Sequence, residues 1–387
     1  MLDKKMMRRI ALNQQGLLKP HSFGQGKAAT LKAIEQIGYV QIDTISVVER
    51  AHHHVVSSRV KDYQPEFLAH WVSERKLFEY WFHAAAWLPM RDYRFALPRM
   101  NAIKAGNYHW IQHRDLPLQK QILARITQEG PLKSRDFKQA PNSSNGWWDW
   151  KPAKQALEQL FMQGDLMVTR REGFQKVYDL RERVLPSEVN TTEPTLAEFA
   201  SHLLDTSLRA HGFVTPKMIT YLRKGPALRK AVTEEIAARM DANELVSTNA
   251  PSGSLVYMTP EIADTAPLRA SATVRILSPF DNVLIQRERV REVFDFDYQI
   301  ECYTPASKRK FGYFCLPILY RDQLIGRIDC KAHRKEQHLE IKAAYIEGKV
   351  DASFPEAMDA ALHHFSKMNH CQHITGDRNW HKHRPKS

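Results

Sequence analysis

Hydrophobic residues in the first hundred positions recur at spacings of three and four, the period of an amphipathic helix. The spacing is visible at Phe67, Leu68 and Trp71, and it recurs across residues 77–81. It predicts that residues 1–100 are mostly helical. A polar gap at 101–115 separates them from the rest of the chain.

The pattern in the next segment predicts three helices followed by a hairpin, which is the order of a winged helix. In that fold the third helix enters the major groove of DNA and the hairpin contacts phosphates. The predicted elements are helices at 118–128, at a short stretch capped by Ser134 and at 152–163, then strands at 166–170 and 174–180.

After a polar linker at 186–194, the same order of elements returns, which predicts a second winged helix. The predicted elements are helices at 196–208, 215–222 and 227–242, then strands at 245–248 and 255–258.

From Thr273 the hydrophobic positions alternate, as they do along β-strands. This predicts a small antiparallel β-domain, followed by a His- and Lys-rich tail after Phe365. The predicted strands are 298–303, 313–320, 324–332 and 339–345.

Composition then narrows the class of partner. The chain has 387 residues, 43% of them hydrophobic, and a formal net charge of +13. Such a charge favours a polyanionic partner, and nucleic acid is the commonest in a cell. No apolar run is long enough for a membrane span and no apolar signal region follows the basic N-terminus, so we expect a cytoplasmic protein with no membrane partner. None of the four cysteines forms a Cys-x-x-Cys pair, which leaves structural zinc unsupported.

Candidate chemistry lies in residues 29–59. A helix predicted at 29–37 stops at Gly38, and an extended segment follows in which Gln41 and Asp43 would share one face. The spacing from Ser46 to Glu49 is that of a capping box, which predicts that the next helix starts there. From the pattern alone, the simpler interpretation is that Asp43 caps this helix and Gln41 is an ordinary strand residue.

Three consecutive histidines, His52, His53 and His54, follow on that helix. Neighbouring residues on a helix point about 100° apart, so the three cannot all reach one metal ion. A packing or phosphate-facing role fits them better, and we expect no metal or other cofactor.

Several motifs together resemble the winged-helix DNA glycosylases of the AlkZ/YcaQ family, and the resemblance runs from about residue 8 to residue 350. The motifs are Val40-Gln41-Ile42-Asp43-Thr44-Ile45, Arg50-Ala51-His52-His53-His54 with Ser58-Arg59, Phe78-Glu79-Tyr80-Trp81 with His83-Ala84-Ala85, Trp147-Trp148-Asp149-Trp150-Lys151, Leu277-Ser278-Pro279-Phe280-Asp281-Asn282, Lys308-Arg309-Lys310-Phe311-Gly312-Tyr313 and Ile325-Gly326-Arg327-Ile328-Asp329.

The resemblance implies a mainly α fold with β: tandem winged-helix units in a C-shape plus a C-terminal antiparallel β-barrel domain. It also reassigns the N-terminal helical region as a third winged-helix unit. The expected domains are 1–115 with the catalytic motif, 116–186 and 187–265 as winged helices, 266–352 as the β-barrel, and 353–387 as a helix and basic tail.

The family's catalytic motif is Gln, an apolar residue, then Gln or Asp. The chain's Gln41-Ile42-Asp43 places it with the YcaQ-like branch, and Gln41 and Asp43 become the catalytic candidates. A carboxylate beside the sugar would stabilise the positive charge that develops as the N-glycosidic bond breaks. No lysine nucleophile lies near the motif, so we expect a monofunctional glycosylase that leaves an abasic site.

The expected partner is double-stranded DNA with alkylation damage, bound by a monomer associated with the bacterial nucleoid. The family acts on N7-alkylated purines, including bulky adducts and interstrand crosslinks. The DNA-binding candidates are Arg50, His53, His54, Arg59, Lys308, Arg309, Lys310, Arg327 and Arg334, with Arg170 and Arg171 in the first wing.

Two other classes of function stay open. A non-enzymatic winged-helix transcription regulator would bind specific sequences and release no base, but helix 152–163 offers only a weak set of base-reading side chains, Lys154, Gln155 and Gln159. A Mg²⁺-dependent nuclease would need paired acids, and no motif of that kind is evident.

Overall fold

The computed structural model describes residues 2–107, 114–137, 150–266, 268–377 and 380. Residues 138–149, which include positions 147–149 of the tryptophan motif, part of the polar gap and the end of the basic tail lie outside the described residues.

Helices and strands are interspersed along the described part of the chain. The described elements are α1 (Lys4–Gln14), α2 (Gly26–Ile37), β1 (Val40–Gln41), α3 (Ala51–Ser57), α4 (Pro65–Ser73), β2 (Leu77–Trp81), β3 (Ala85–Pro89), α5 (Leu97–Lys104), α6 (Leu116–Glu129), β4 (Leu132–Lys133), α7 (Trp150–Met162), β5 (Leu166–Glu172), β6 (Gln175–Leu180), α8 (Arg181–Val184), α9 (Leu196–His211), α10 (Pro216–Ile219), α11 (Pro226–Asp241), β7 (Val246–Asn249), β8 (Leu255–Met258), α12 (Pro260–Ala263), β9 (Val274–Ile276), α13 (Arg287–Phe294), β10 (Cys315–Tyr320), β11 (Gln323–His333), β12 (His338–Ile346), α14 (Phe354–Met368) and β13 (His373–Thr375).

The chain forms two compact units. The larger unit comprises Met1–Gln64 and Ala200–Ser387, and the smaller unit is Pro65–Phe199. The segment that carries Gln41 and Asp43 belongs to the larger unit.

A five-stranded sheet in the larger unit curls into a half-barrel. Its strand order is β13-β12-β11-β10-β9, antiparallel except for the parallel pair of β12 and β13. Helix α14 packs against β9 and buries Phe354, Met358 and Leu362 in the core of the sheet. The predicted antiparallel β-domain is therefore found, with edge strands at β9 and β13.

One predicted strand of that domain was wrong. Residues 298–303 do not pair with the sheet, and β9 occupies the edge beside β10 instead. The alternation that suggested a strand reflects burial: Tyr298 is buried, stacks on Phe296 and donates a hydrogen bond to the Cys315 carbonyl at 2.7 Å.

The smaller unit contains α6, β4, a 3-10 turn at Ser134–Phe137, α7 and the hairpin of β5 and β6, in the predicted order. Its sheet has the order β4-β6-β5. The helical prediction for residues 77–81 was wrong, because Leu77–Trp81 pairs antiparallel with Ala85–Pro89 as a hairpin. Aromatic residues such as Phe78 and Tyr80 favour strands when a partner strand covers them.

The second predicted helix-hairpin order also occurs in the chain, as α9, α10, α11 and the hairpin of β7 and β8. Thr215 caps α10 as its side chain accepts a hydrogen bond from the Met218 amide. This cap explains why the helix begins where the sequence indicated.

Candidate active site

The segment from Gly38 to Thr44 leaves α2 through a left-handed turn. Gly38 has φ 85°, a conformation that glycine adopts without the cost a Cβ imposes. Val40 and Ile42 are buried as predicted, and Asp43 is half-buried. Gln41 is only 6% exposed, so the open polar face predicted for both Gln41 and Asp43 is found for Asp43 alone.

The carboxylate of Asp43 is held by its own neighbours. The Ile45 amide donates to Asp43 Oδ1 at 2.7 Å, and the Gln41 side chain hydrogen-bonds the same carboxylate. Burial raises the pKa of Asp43, while the hydrogen bonds from Ile45, Gln41 and Thr44 act in the opposite direction. The group is thus a partly desolvated carboxylate fixed in orientation.

The predicted helix start at Ser46 was wrong, because α3 begins at Ala51. Residues 46–48 instead dock against the half-barrel: Ala332 N donates to the Val47 carbonyl at 2.9 Å, and Arg334 donates to the Ser46 carbonyl at 3.1 Å. Val48 is buried in the sheet's core. The Ser46 and Val47 carbonyls accept hydrogen bonds from the half-barrel, so they are not available for the hydrogen bonds of a first helical turn.

The motif of residues 277–282 fixes both sides of the Gln41–Asp43 segment. Asn282 Nδ2 donates to the carbonyls of Ile37 and Tyr39, at 3.2 and 3.0 Å. Asp281 forms an ion pair with Arg59 in which both side chains are fully buried. Sequence analysis noted this motif as a family feature without assigning it a function, since its partners lie more than two hundred residues away.

A structured loop lies beside Asp43. The Glu301 carboxylate accepts hydrogen bonds from the amides of Lys310 and Phe311 at 2.8 Å and of Gly312 at 3.2 Å. Burial raises the pKa of Glu301, but these three donors outweigh it and the net pKa is lowered. A Cβ at Gly312 would lie 2.1 Å from Asp329 Oδ2, so the loop approaches the sheet too closely for another residue.

Two side chains of this loop, Cys302 and Tyr303, were not among the predicted site residues. Both lie within electrostatic range of the Asp43 carboxylate. Tyr303 is 76% exposed, although it falls at the end of a predicted strand where an aromatic residue suggests core packing. Its position two residues before Pro305, at the start of a polar stretch, was the local signal in the sequence.

Three predicted DNA-binding side chains are buried, so those predictions are corrected. Arg59 is 0% exposed and pairs with Asp281, and His54 is 2% exposed with its Nε2 2.8 Å from the Ile276 carbonyl. Arg327 is 3% exposed, pairs with Glu347 and lies 3.8 Å from the Phe311 ring centroid. Each satisfies a buried partner and offers no surface to a phosphate.

The other candidates differ in exposure. Lys308 and Lys310 are exposed, and Arg309 is half-buried and donates to the Thr304 carbonyl at 2.8 Å. Arg50, His53 and Arg334 are half-buried. The exposed cations Lys308 and Lys310 lie on the same loop as Tyr303.

Arg171 of the first wing, in the smaller unit, also forms an ion pair with another side chain of this protein. It forms a bidentate ion pair with Glu79 at 2.7 Å, and Glu79 is fully buried. Arg170 is exposed and pairs with Glu172 at 2.8 Å.

Within the described ranges, no group of three or more His, Cys, Asp or Glu side chains is placed to hold a metal ion. Among those same residues, no helix is long and apolar enough to cross a membrane.

Comparisons with known proteins agree with this architecture. The structure is similar to Streptomyces sahachiroi DNA glycosylase AlkZ, with a TM-score of 0.60 and 14% sequence identity over 96% of this chain and 97% of that chain. At this identity the likeness shows the fold alone. The family model described as DNA glycosylase AlkZ-like matches residues 34–368, which include Gln41, Asp43 and the 277–282 motif. The chain therefore belongs to the AlkZ-like DNA glycosylase family.

Proposed function

We propose that this glycosylase hydrolyses the N-glycosidic bond of N7-alkylated purines, including bulky adducts and interstrand crosslinks, and leaves an abasic site. The observation that carries the proposal is the half-buried Asp43 carboxylate, oriented by Gln41 and the Ile45 amide. Removal of one crosslinked base would unhook the two strands.

The chemistry suits the residues. An N7-alkylated purine carries a positive charge and is already a good leaving group, so the site needs no strong general acid. Positive charge develops on the sugar as the bond breaks, and the Asp43 carboxylate would stabilise it. Asp43 would also orient or deprotonate the attacking water, and Gln41 would hold Asp43 in place.

Duplex DNA with alkylation damage is the proposed partner. The net charge of +13 and the exposed Lys308 and Lys310, on the same loop as Tyr303, support it. Half-buried Arg50, His53, Arg309 and Arg334 are the further proposed contacts. We infer that the protein works as a monomer on the bacterial nucleoid, because a single lesion has no two-fold symmetry to match.

The order of helices and hairpins supports tandem winged helices as the DNA-binding scaffold. In the smaller unit, the short strand β4 pairs with the second strand of the hairpin, as it would in a winged helix. The proposed domain boundaries are those at 115, 186, 265 and 352.

The test is release of the modified base. The protein is incubated, with EDTA present, with duplexes that carry a single 7-methylguanine or a nitrogen-mustard crosslink. Free 7-methylguanine is measured by mass spectrometry. Separation of the crosslinked strands is measured on a denaturing gel, because the excised base of a crosslink stays attached to the other strand. We expect the base to be released and the strand to stay uncut until alkali is added. Intact bases on both substrates would refute the proposal, and a sequence-specific footprint without base release would favour the regulator.

Asp43→Asn tests the assigned residue. We expect it to lose most base release while keeping its affinity for duplex DNA. Asp264→Asn, at an exposed aspartate at the end of α12, is the matched control and should keep full activity. If Asp43→Asn were as active as Asp264→Asn, Asp43 would not be the catalytic carboxylate.

A further inference from the structure

The exposed Tyr303 lies within electrostatic range of the Asp43 carboxylate, and a second exposed tyrosine, Tyr313, lies on the same loop. Tyr303 is 76% exposed, the most exposed large apolar or aromatic side chain of the described chain, and Tyr313 is 41% exposed. Tyr303 lies within electrostatic range of Asp43, Cys302 and Tyr313. The Arg309 guanidinium lies 4.9 Å from the Tyr313 ring centroid, so the aromatic pair and a cation form one cluster.

The backbone that presents these rings is held in place. Glu301 accepts three amide hydrogen bonds from residues 310–312, and Arg309 Nε donates to the Thr304 carbonyl at 2.8 Å. At the far end, the Tyr313 amide donates to Asp329 Oδ2 at 3.1 Å. Both ends of the loop are therefore anchored, and Tyr303 is exposed without being on a loose segment.

The ring of Tyr303 is largely exposed, so little burial against the protein offsets its unfavourable contact with water. A ring on a fixed loop beside a catalytic carboxylate is suited to a flat partner, since base–aromatic stacking contributes about 1–3 kcal/mol per base. The electron-rich face of a tyrosine also attracts a cation within about 6 Å of its centroid. A purine that carries a positive charge satisfies both requirements, whereas a neutral purine satisfies only the first.

We propose that Tyr303 is a specificity-determining residue that packs its ring against the damaged nucleotide and selects purines that carry a positive charge over neutral purines. Tyr313 lies within electrostatic range of Tyr303, and Arg309 lies over the face of the Tyr313 ring. This inference rests on the proposed function of the Asp43 site and adds how that site distinguishes its substrate.

The experiment separates recognition from bond cleavage. Two duplexes carry a 2′-fluoro sugar at the lesion, which resists glycosidic cleavage: one has cationic 7-methylguanine and the other its neutral isostere 7-methyl-7-deazaguanine. Affinity for each is measured by fluorescence anisotropy and expressed as a ratio. Wild type should prefer the cationic duplex.

Tyr303→Leu removes the ring, and Tyr303→Phe keeps it while removing the hydroxyl. We expect Tyr303→Leu to lower the preference for the cationic duplex about 3- to 30-fold, and Tyr303→Phe to keep most of it. Trp81→Leu, at an exposed aromatic of the smaller unit, is the matched control and should leave the ratio unchanged. Because Tyr303 is exposed, the thermal midpoints of both variants should stay close to that of wild type.

An unchanged ratio in Tyr303→Leu would overturn the inference. So would an equal loss in Tyr303→Phe and Tyr303→Leu, because the hydroxyl and not the ring would then be responsible. Failure of the proposed function looks different: wild type would release no base from cleavable 7-methylguanine duplexes, whatever the variants do. Base release with an unchanged binding ratio would leave the glycosylase activity standing and remove only the role of Tyr303.

Discussion

The guanidinium of Arg59 forms a bidentate ion pair with Asp281, with Nη1 to Oδ2 at 2.7 Å and Nη2 to Oδ1 at 2.8 Å, and both side chains are fully buried. Arg59 also donates to the carbonyl and the side-chain oxygen of Gln15, at 2.8 and 3.0 Å. The ion pair therefore connects the chain just after α3, the helix that follows the Gln41–Asp43 segment, to the 277–282 motif.

Asp281→Ala should destabilise the protein by about 3–5 kcal/mol, because it leaves an uncompensated buried cation. Urea unfolding measures the change. Glu288→Gln is the control, since Glu288 pairs with Lys217 on the surface and its loss should cost less than about 1 kcal/mol. Similar costs for the two variants would contradict the structural role assigned to the buried pair.

Asn282→Asp should slow base release as well as weaken the fold. It replaces a donor that bonds the Ile37 and Tyr39 carbonyls with a group that repels them, and these carbonyls lie just before the Gln41–Asp43 segment. Single-turnover rates are compared with those of Asn282→Ala, which removes the donor without adding a charge. Equal rates for wild type and both variants would show that the hydrogen bonds from Asn282 do not position Asp43.

The rate of base release should fall as pH falls, with a midpoint above the ordinary range of an aspartate. Burial raises the pKa of Asp43, and only the ionised form can stabilise positive charge on the sugar. Gln41→Leu should move this midpoint to higher pH, because it removes a hydrogen bond that lowers the pKa. A midpoint that moves to lower pH in Gln41→Leu would contradict the assigned contact. The measurement is the single-turnover rate from about pH 4 to about pH 8, with uncatalysed release subtracted.

Acid should weaken the fold through His54. Burial lowers the pKa of His54 to about 4, from the ordinary value of 6.5. Between these values the unfolded chain takes up a proton that the folded chain does not, so stability is lost as pH falls from 6.5 towards 4.

His54 alone should lower the free energy of unfolding by about 2 kcal/mol between about pH 7 and about pH 5. His54→Phe should remove this part of the pH dependence and keep the ring contact with Phe365. His363→Gln, at an exposed histidine of α14, should behave as wild type does. Identical pH dependence in His54→Phe and wild type would show that His54 is not the responsible group.

Lys308→Ala and Lys310→Ala should each reduce the salt dependence of duplex binding by about one unit of slope in log affinity against log salt. Both side chains are exposed on the loop that carries Tyr303. Lys349→Ala, at another exposed lysine, is the control and should leave the slope unchanged. If all three variants had the slope of wild type, the loop would not contact phosphates.

Much of the local structure follows from sequence pattern. The stop of α2 at Gly38, the two helix-hairpin orders and most strands of the half-barrel were predicted, because period and turn residues act over a few positions. The sequence by itself determined a basic chain in which an extended segment begins at Val40 and carries the polar residues Gln41 and Asp43.

Tertiary structure decided the role of the charges. Arg59, His54 and Arg327 were predicted at the DNA surface, and their burial depends on partners such as Asp281 and Glu347 that are distant in sequence or on another element. The capping box predicted at Ser46 does not start a helix, because a hydrogen bond from β11 holds this segment against the sheet. No local sequence pattern indicates that hydrogen bond. The exposure of Tyr303 beside Asp43 was decided in the same way, since a loop held by Glu301 brings together residues 260 positions apart.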